Sequence, residues 1–173
     1  MSSGLEQVRQ EVLRCLTAAE IPAVAAWEPR WAGQYERPVI VVGLRQADSV
    51  SAALCDYLGQ VFEEDTDSWR EVYGRRLEVS VELEAYGPGK EGARGCTEIL
   101  EQAHDALLAG LAEGLRPGEM RWEAAAWDRE TEHVRQVAVL QCTAAFVAQA
   151  REEPGLFLDF KLKGAPDFEQ YRT

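Results

Sequence analysis

The sequence predicts an α+β protein: a mainly antiparallel, twisted sheet with two helices packed on one face and a long arm between the first two strands. Three observations carry that reading. Leu77, Val79, Val81, Leu83 and Ala85 alternate with Glu78, Ser80, Glu82 and Glu84, the period of a strand with one face in a core. Beyond a glycine-rich bend, Cys96, Ile99, Leu100, Ala103, Leu107 and Leu111 recur at three and four, lining one face of a helix. Three more strand-like runs then follow on short links. That order suits antiparallel neighbours and never settles into βαβα alternation.

Ser3 and Glu6 have capping-box spacing, and Leu5, Val8, Val12, Leu16 and Ala19 mark a helix face that Pro22 ends. Residues 23–38 lack a clean period and read as an irregular connection with a short strand near Val24 to Trp27. Val39 to Leu44 is a continuous apolar run, the pattern of a buried strand. From about Arg45 to about Tyr73 the pattern fails, and the stretch is expected to be an irregular arm that orders on assembly.

The strand and helix of the opening argument come next, with the helix stopping near Gly114 and Pro117-Gly118 as its breaker. Met120, Trp122, Ala124 and Ala126 predict a strand with Trp122 in the core. Val134 to Ala148 is a long strand whose second face changes from Val137 and Val139 to Gln141 and Thr143, so burial should differ along it. Leu156 to Lys163 alternates as a terminal strand, and the tail from about Gly164 to Thr173 is expected to be flexible.

Length and composition narrow the class. A chain of 173 residues fits one domain, spanning residues 1–173, with enough chain for a real core. The net charge of −12 argues against a partner held by phosphate neutralisation, and so against specific nucleic-acid binding. Cys15, Cys55, Cys96 and Cys142 lie far apart without a CxxC pair, which suits reduced thiols in a cytoplasmic setting. No signal-peptide pattern and no membrane-length apolar run is present in this sequence, so no membrane partner is expected.

No catalytic constellation is legible, and neither an enzyme, a cofactor nor a metal is expected. Gly87-Pro88-Gly89-Lys90-Glu91-Gly92 is formally a GxGxxG between a strand and a helix, the pattern that lets a pyrophosphate approach a helix N-terminus. The strand before it carries three glutamates, however, whereas a dinucleotide-binding first strand is buried on both faces. A flexible turn is the plainer reading; a small-ligand or nucleotide-binding domain using Gly87 to Gly95 is the alternative function. His104 and His133 have no ligand at metal spacing, and Glu63 to Asp67 lack the glycine and closing glutamate of a calcium loop. Those acids read as a solvated loop.

The aromatic residues point to assembly. Trp27, Trp31, Trp69 and Trp127 fall at strand ends or in irregular segments, where aromatics are enriched at protein interfaces. Tyr57, Tyr73, Phe168 and Tyr171 join them as expected contacts, with covering of core edges as the plain alternative for each.

Several phrases carry a resemblance: Asp56-Tyr57-Leu58-Gly59, Tyr73-Gly74-Arg75-Arg76 entering the long strand, Ala85-Tyr86-Gly87-Pro88 leaving it, and Phe157-Leu158-Asp159-Phe160-Lys161-Leu162-Lys163-Gly164. With the order of elements, they resemble the tail terminator, or tail-completion, proteins of tailed bacteriophages and prophages. The likeness covers most of the chain and brings no catalytic residues. It implies a homo-oligomeric ring, usually a hexamer, that caps the tail tube and joins it to the head. Its partners would be itself, the tail tube protein and a head–tail connector protein, first in the bacterial cytoplasm and then in the virion tail. A connector or baseplate role in the same tail is the neighbouring possibility. The acidic charge would suit a lumen through which DNA slides.

Overall fold

A computed structural model describes residues 4–28, 36–51, 53–112, 114–148 and 160–161. Helix α1 (Gly4–Ala18) buries Val8, Val12, Cys15 and Leu16, the three-and-four stripe of its sequence. Ser3, the expected cap, lies outside the described residues. The helix ends before Pro22 acts. Glu20 turns left-handed at φ 60°, its N–H donating to Thr17 O, while Ile21 N–H donates to Leu16 O, both at 3.0 Å. This is a Schellman closure, and Ile21 tucks under it as a buried residue.

The strands are β1 (Ala23–Val24), β2 (Val39–Ser51), β3 (Tyr57–Glu63), β4 (Ser68–Gly87), β5 (Leu115–Trp122), β6 (Ala126–Asp128), β7 (His133–Ala148) and β8 (Phe160–Lys161). They form one sheet, ordered β1-β2-β4-β7-β5. Pairing is antiparallel throughout except between β1 and β2. With helix α2 (Gly92–Gly110) and α1 on one face, the class is α+β, as the sequence predicts.

Side chains from α1, α2, β2, β4, β5 and β7 meet in a single main core. Leu16, Ile40, Leu83, Leu100, Leu107 and Leu140 are fully buried there. Each contributes roughly 1.5–3 kcal/mol of transfer free energy. The two helices are tied end to side: Glu11 accepts from Ala112 N–H at 2.9 Å and Arg14 donates to Gly110 O at 3.2 Å, so α1 caps the C-terminus of α2. Gln136, also buried, accepts from Thr97 Oγ1 at 2.9 Å and donates to Glu123 O at 3.0 Å.

Three expectations are corrected. Residues 45–73 are not an irregular arm but mostly strand. β2 runs on to Ser51, and β3 then pairs with the first part of β4, from Tyr57 opposite Tyr73 to Glu63 opposite Ser68. In effect β2 and β3 form one side of a single long hairpin whose other side is β4. An excursion around a 3-10 turn at Leu54–Asp56 interrupts it, and bulges at Arg45 and Leu58 shift the register. Those shifts break the sequence alternation.

Pro117-Gly118 likewise sits inside β5, not in a helix-ending turn. Register slips between Pro117 and Met120, and an edge strand tolerates the missing N–H at such a bulge. α2 has already ended at Gly110. Trp122 is not core: it is 43% exposed at the rim, its ring 5.4 Å from that of His104.

Candidate assembly surface

The distal part of the long hairpin, β3 with Ser68–Tyr73 of β4, forms an arm. Among the described residues β7 pairs with β4 only as far as Tyr73 opposite Ala148, so the five residues Ser68–Val72 run about 17 Å farther. A side chain directly opposite another across the ladder shares its face. Phe62 therefore meets Trp69, with ring centroids 5.3 Å apart, and Tyr57 meets Tyr73 at 5.5 Å edge-on. Each such pair contributes roughly 0.2–1 kcal/mol to holding the strands in register.

These rings are stacked on one another but not covered. Trp69 is 66% exposed, Phe62 42% and Tyr57 39%. Tyr73 is half-buried and its hydroxyl donates to Glu71 at 2.6 Å. A two-stranded ribbon is marginally stable alone, and its exposed aromatic surface makes the arm the candidate docking element.

At its root the arm is pinned. Arg75 donates to Asp56 Oδ2 at 3.1 Å, to Ser49 Oγ at 2.9 Å and to Ser49 O at 3.0 Å, bridging both sides of the excursion. Cys55 and Asp56 hold consecutive left-handed backbone angles, φ 54° and 60°, which L-residues adopt at a cost. At the tip, Glu64, Asp65 and Asp67 are exposed in the turn, as a solvated acidic loop should be.

The sheet face away from the helices carries a second cluster. Near β1, Val39, Val41 and Tyr86 are buried with Val24 and Trp27 against them. Trp27 lies 4.5 Å from the Tyr86 ring and 5.3 Å from that of buried His133, whose Nδ1 is 2.6 Å from Thr131 O. Farther along, Arg135 Nη2 donates to Glu84 at 2.7 Å and Tyr86 OH donates to the same carboxylate at 2.5 Å. Arg45 lies 3.8 Å from Glu82 and 3.7 Å from Glu123.

Burial is the strongest influence on both glutamates. For Glu82 it prevails, and sharing a hydrogen bond with Glu84 adds to it, holding that carboxyl above the ordinary range. For Glu84 the hydrogen bonds from Arg135 and Tyr86 outweigh burial and hold it below. The group is an ion network of three carboxylates and two guanidiniums.

The expected contacts thus fall in three places. Tyr57, Trp69 and Tyr73 come together on the arm. Trp127 stands alone at β6, opposite Val134 and 58% exposed, while Trp27 belongs to the small cluster beneath β1. Trp31, Phe168 and Tyr171 lie outside the described residues. Phe62 was missed because only the ladder register reveals its partnership with Trp69.

The Gly87–Gly95 bend is spent on packing. A Cβ on Gly87 would lie 2.4 Å from Gly92 O, one on Gly92 2.9 Å from Val134 Cβ, and one on Gly95 2.8 Å from Pro38 Cγ. Glu91 sits at the N-cap of α2, where its carboxylate is unfavourable to a phosphate. Among the described residues no group of three or more His, Cys, Asp or Glu is placed to hold a metal ion, and no helix is long and apolar enough to cross a membrane. No protein-family model matches this chain, and no curated protein sequence matches it significantly.

Proposed function

We propose that this chain is a structural assembly protein of a phage or prophage tail, a terminator that caps the tail tube and joins it to the head through a ring of its own copies. The observation that carries the reading is the aromatic arm: a protruding ribbon whose largest apolar side chains have no cover from the rest of the described protein. Such a surface is built to be completed by another molecule. The acidic chain, at −12, adds support, since a ring of it would line a lumen that DNA does not adhere to.

The chain works on this reading by contact, with the helix-backed sheet as rigid body and the arm as reach. A hexameric ring follows from the resemblance of its element order to tail terminators. Light scattering over a range of protein and salt concentrations tests the ring directly; a six-fold mass is expected at high concentration or with tube protein present. Deletion of the gene should leave tails of uncontrolled length or heads without tails, and normal infectious particles from the deletion strain would overturn the proposal.

A further inference from the structure

The arm's occupant can be read from its charge. The face formed by Phe62, Trp69, Tyr57 and Tyr73 is flanked by acids, five between Tyr57 and Tyr73 against the single cation Arg70. Arg70 is taken up by Glu63 at 2.6 Å. Glu64, Asp65, Asp67 and Glu71 remain exposed, with no cation beside them among the described residues. Aromatic surface and uncompensated carboxylates thus occupy the same short ribbon.

A second copy of this chain is a poor match for that ribbon. The whole protein is at −12, and the remainder stays net negative when the arm is set aside. Among the described residues most arginines are also spent at home, as Arg14 with Glu11, Arg76 with Glu78, Arg94 with Glu98, Arg121 with Glu119 and Arg135 with Glu84. Docking the arm on a sister copy would bring like charges together and cost specificity.

We infer that the arm docks on a different protein, one presenting an apolar slot bordered by lysines and arginines, and that contacts between copies of this chain run through the body. The inference rests on the assembly reading above and names the partner chemistry of its principal surface. Slot and arm would meet as an aromatic anchor inside a ring of opposite charges, with the acids steering the encounter and Trp69 with Phe62 holding it.

The test uses the full chain and a labelled peptide of alternating Lys and Leu, with a Glu–Leu peptide as control, read by fluorescence anisotropy. The Lys–Leu peptide should bind, and about tenfold less tightly when salt is raised from about 50 to about 300 mM. The triple variant E64K/D65K/D67K and the pair F62A/W69A should each weaken binding about tenfold or more. E130K/E132K, which changes charge in the β6–β7 turn, should leave it intact. Equal weakening by E130K/E132K would reduce the effect to net charge and overturn the assignment, as would binding indifferent to F62A/W69A.

Light scattering of the same variants separates the two proposals. A mass that falls only when the arm is altered makes the arm a self-contact, overturning this inference while the assembly reading stands. A chain that is monomeric at every concentration yet binds the Lys–Leu peptide through the arm supports the assignment and removes the ring. The charge-reversed triple variant lies wholly in the exposed turn, so it stays informative if the aromatic pair variant unfolds.

Discussion

Arg75 reaches across the root of the arm to Asp56, Nη1 to Oδ2 at 3.1 Å, and the same guanidinium holds Ser49 on the far side of the excursion. One side chain therefore ties β2, the excursion and β4 together where the ribbon leaves the sheet. Because two left-handed residues, Cys55 and Asp56, sit in that excursion, the local backbone would relax if the clamp were lost.

Arg75→Ala is expected to loosen the arm far more than the body. Amide exchange across Gln60–Val72 should speed up about three- to tenfold, while global stability falls by about 1 kcal/mol or less, since the pair is partly solvated. Exchange in the arm that matches wild type would show that the strand pairing alone sets its position.

Gln136→Ala should be the costlier change despite its modest chemistry. It leaves the Glu123 carbonyl without its side-chain donor and the Thr97 hydroxyl with Ala93 O alone, beside a buried site. The expected loss is about 1–3 kcal/mol, read from urea unfolding at constant m-value. Near-neutral behaviour would mean that water replaces the amide.

Glu82 and Glu84 should answer pH in opposite directions. A carboxyl raised in the folded protein favours folding in acid, and that contribution is lost as pH climbs through its folded value; this is Glu82. Glu84, lowered, contributes above the ordinary carboxylate range and loses that contribution as pH falls through its folded value. Glu82→Gln should therefore raise Tm at pH 7, with the gain fading toward pH 4. Glu84→Gln should lower stability at pH 7 by about 1–2 kcal/mol, because the amide leaves Arg135 and Tyr86 a single neutral acceptor oxygen where the carboxylate gave each its own. Parallel pH profiles for the two variants would contradict this division.

Cysteine chemistry offers a simple check on the fold. Cys15, Cys96 and Cys142 are buried, and burial pushes the thiols of Cys96 up to about 11 and Cys142 up to about 12. Cys55 is exposed at the root of the arm. A disulfide-exchange reagent at neutral pH should modify one thiol promptly and the other three only on unfolding. Two or more fast thiols would be incompatible with the packing of α1, α2 and β7.

The elements visible in the sequence are those whose pattern is uninterrupted. β4 from Leu77 to Ala85 and α2 from Cys96 to Leu107 each present one unbroken apolar face, and Val39 to Val42 is a run because both its faces are covered. The arm was illegible for the converse reason. Its aromatics lie in two separate segments that become neighbours only through the ladder, and a bulge at Leu58 shifts the register between them. β5 was cut short because Pro117-Gly118 has the same composition in a bulge as in a turn. Trp27 and Trp127 look alike in sequence context, yet one is packed on Tyr86 and the other faces solvent. Placement, not residue type, separates them.

The two irregularities at Arg45 and Pro117 have a bearing on the crowded setting of an assembling particle. Among the described residues β1 covers only Ile40 and Val41 on the outer side of β2, and β5 ends the sheet on the opposite side. Rows of free N–H and C=O groups on strands this long invite other chains to add on and grow into fibrils. Each row is kinked where an extra residue or a missing N–H falls, and β2 beyond its kink carries Gln46 and Asp48. The bulges work against continuous edge-to-edge addition of strands, and high concentrations of this protein should stay free of amyloid-like growth.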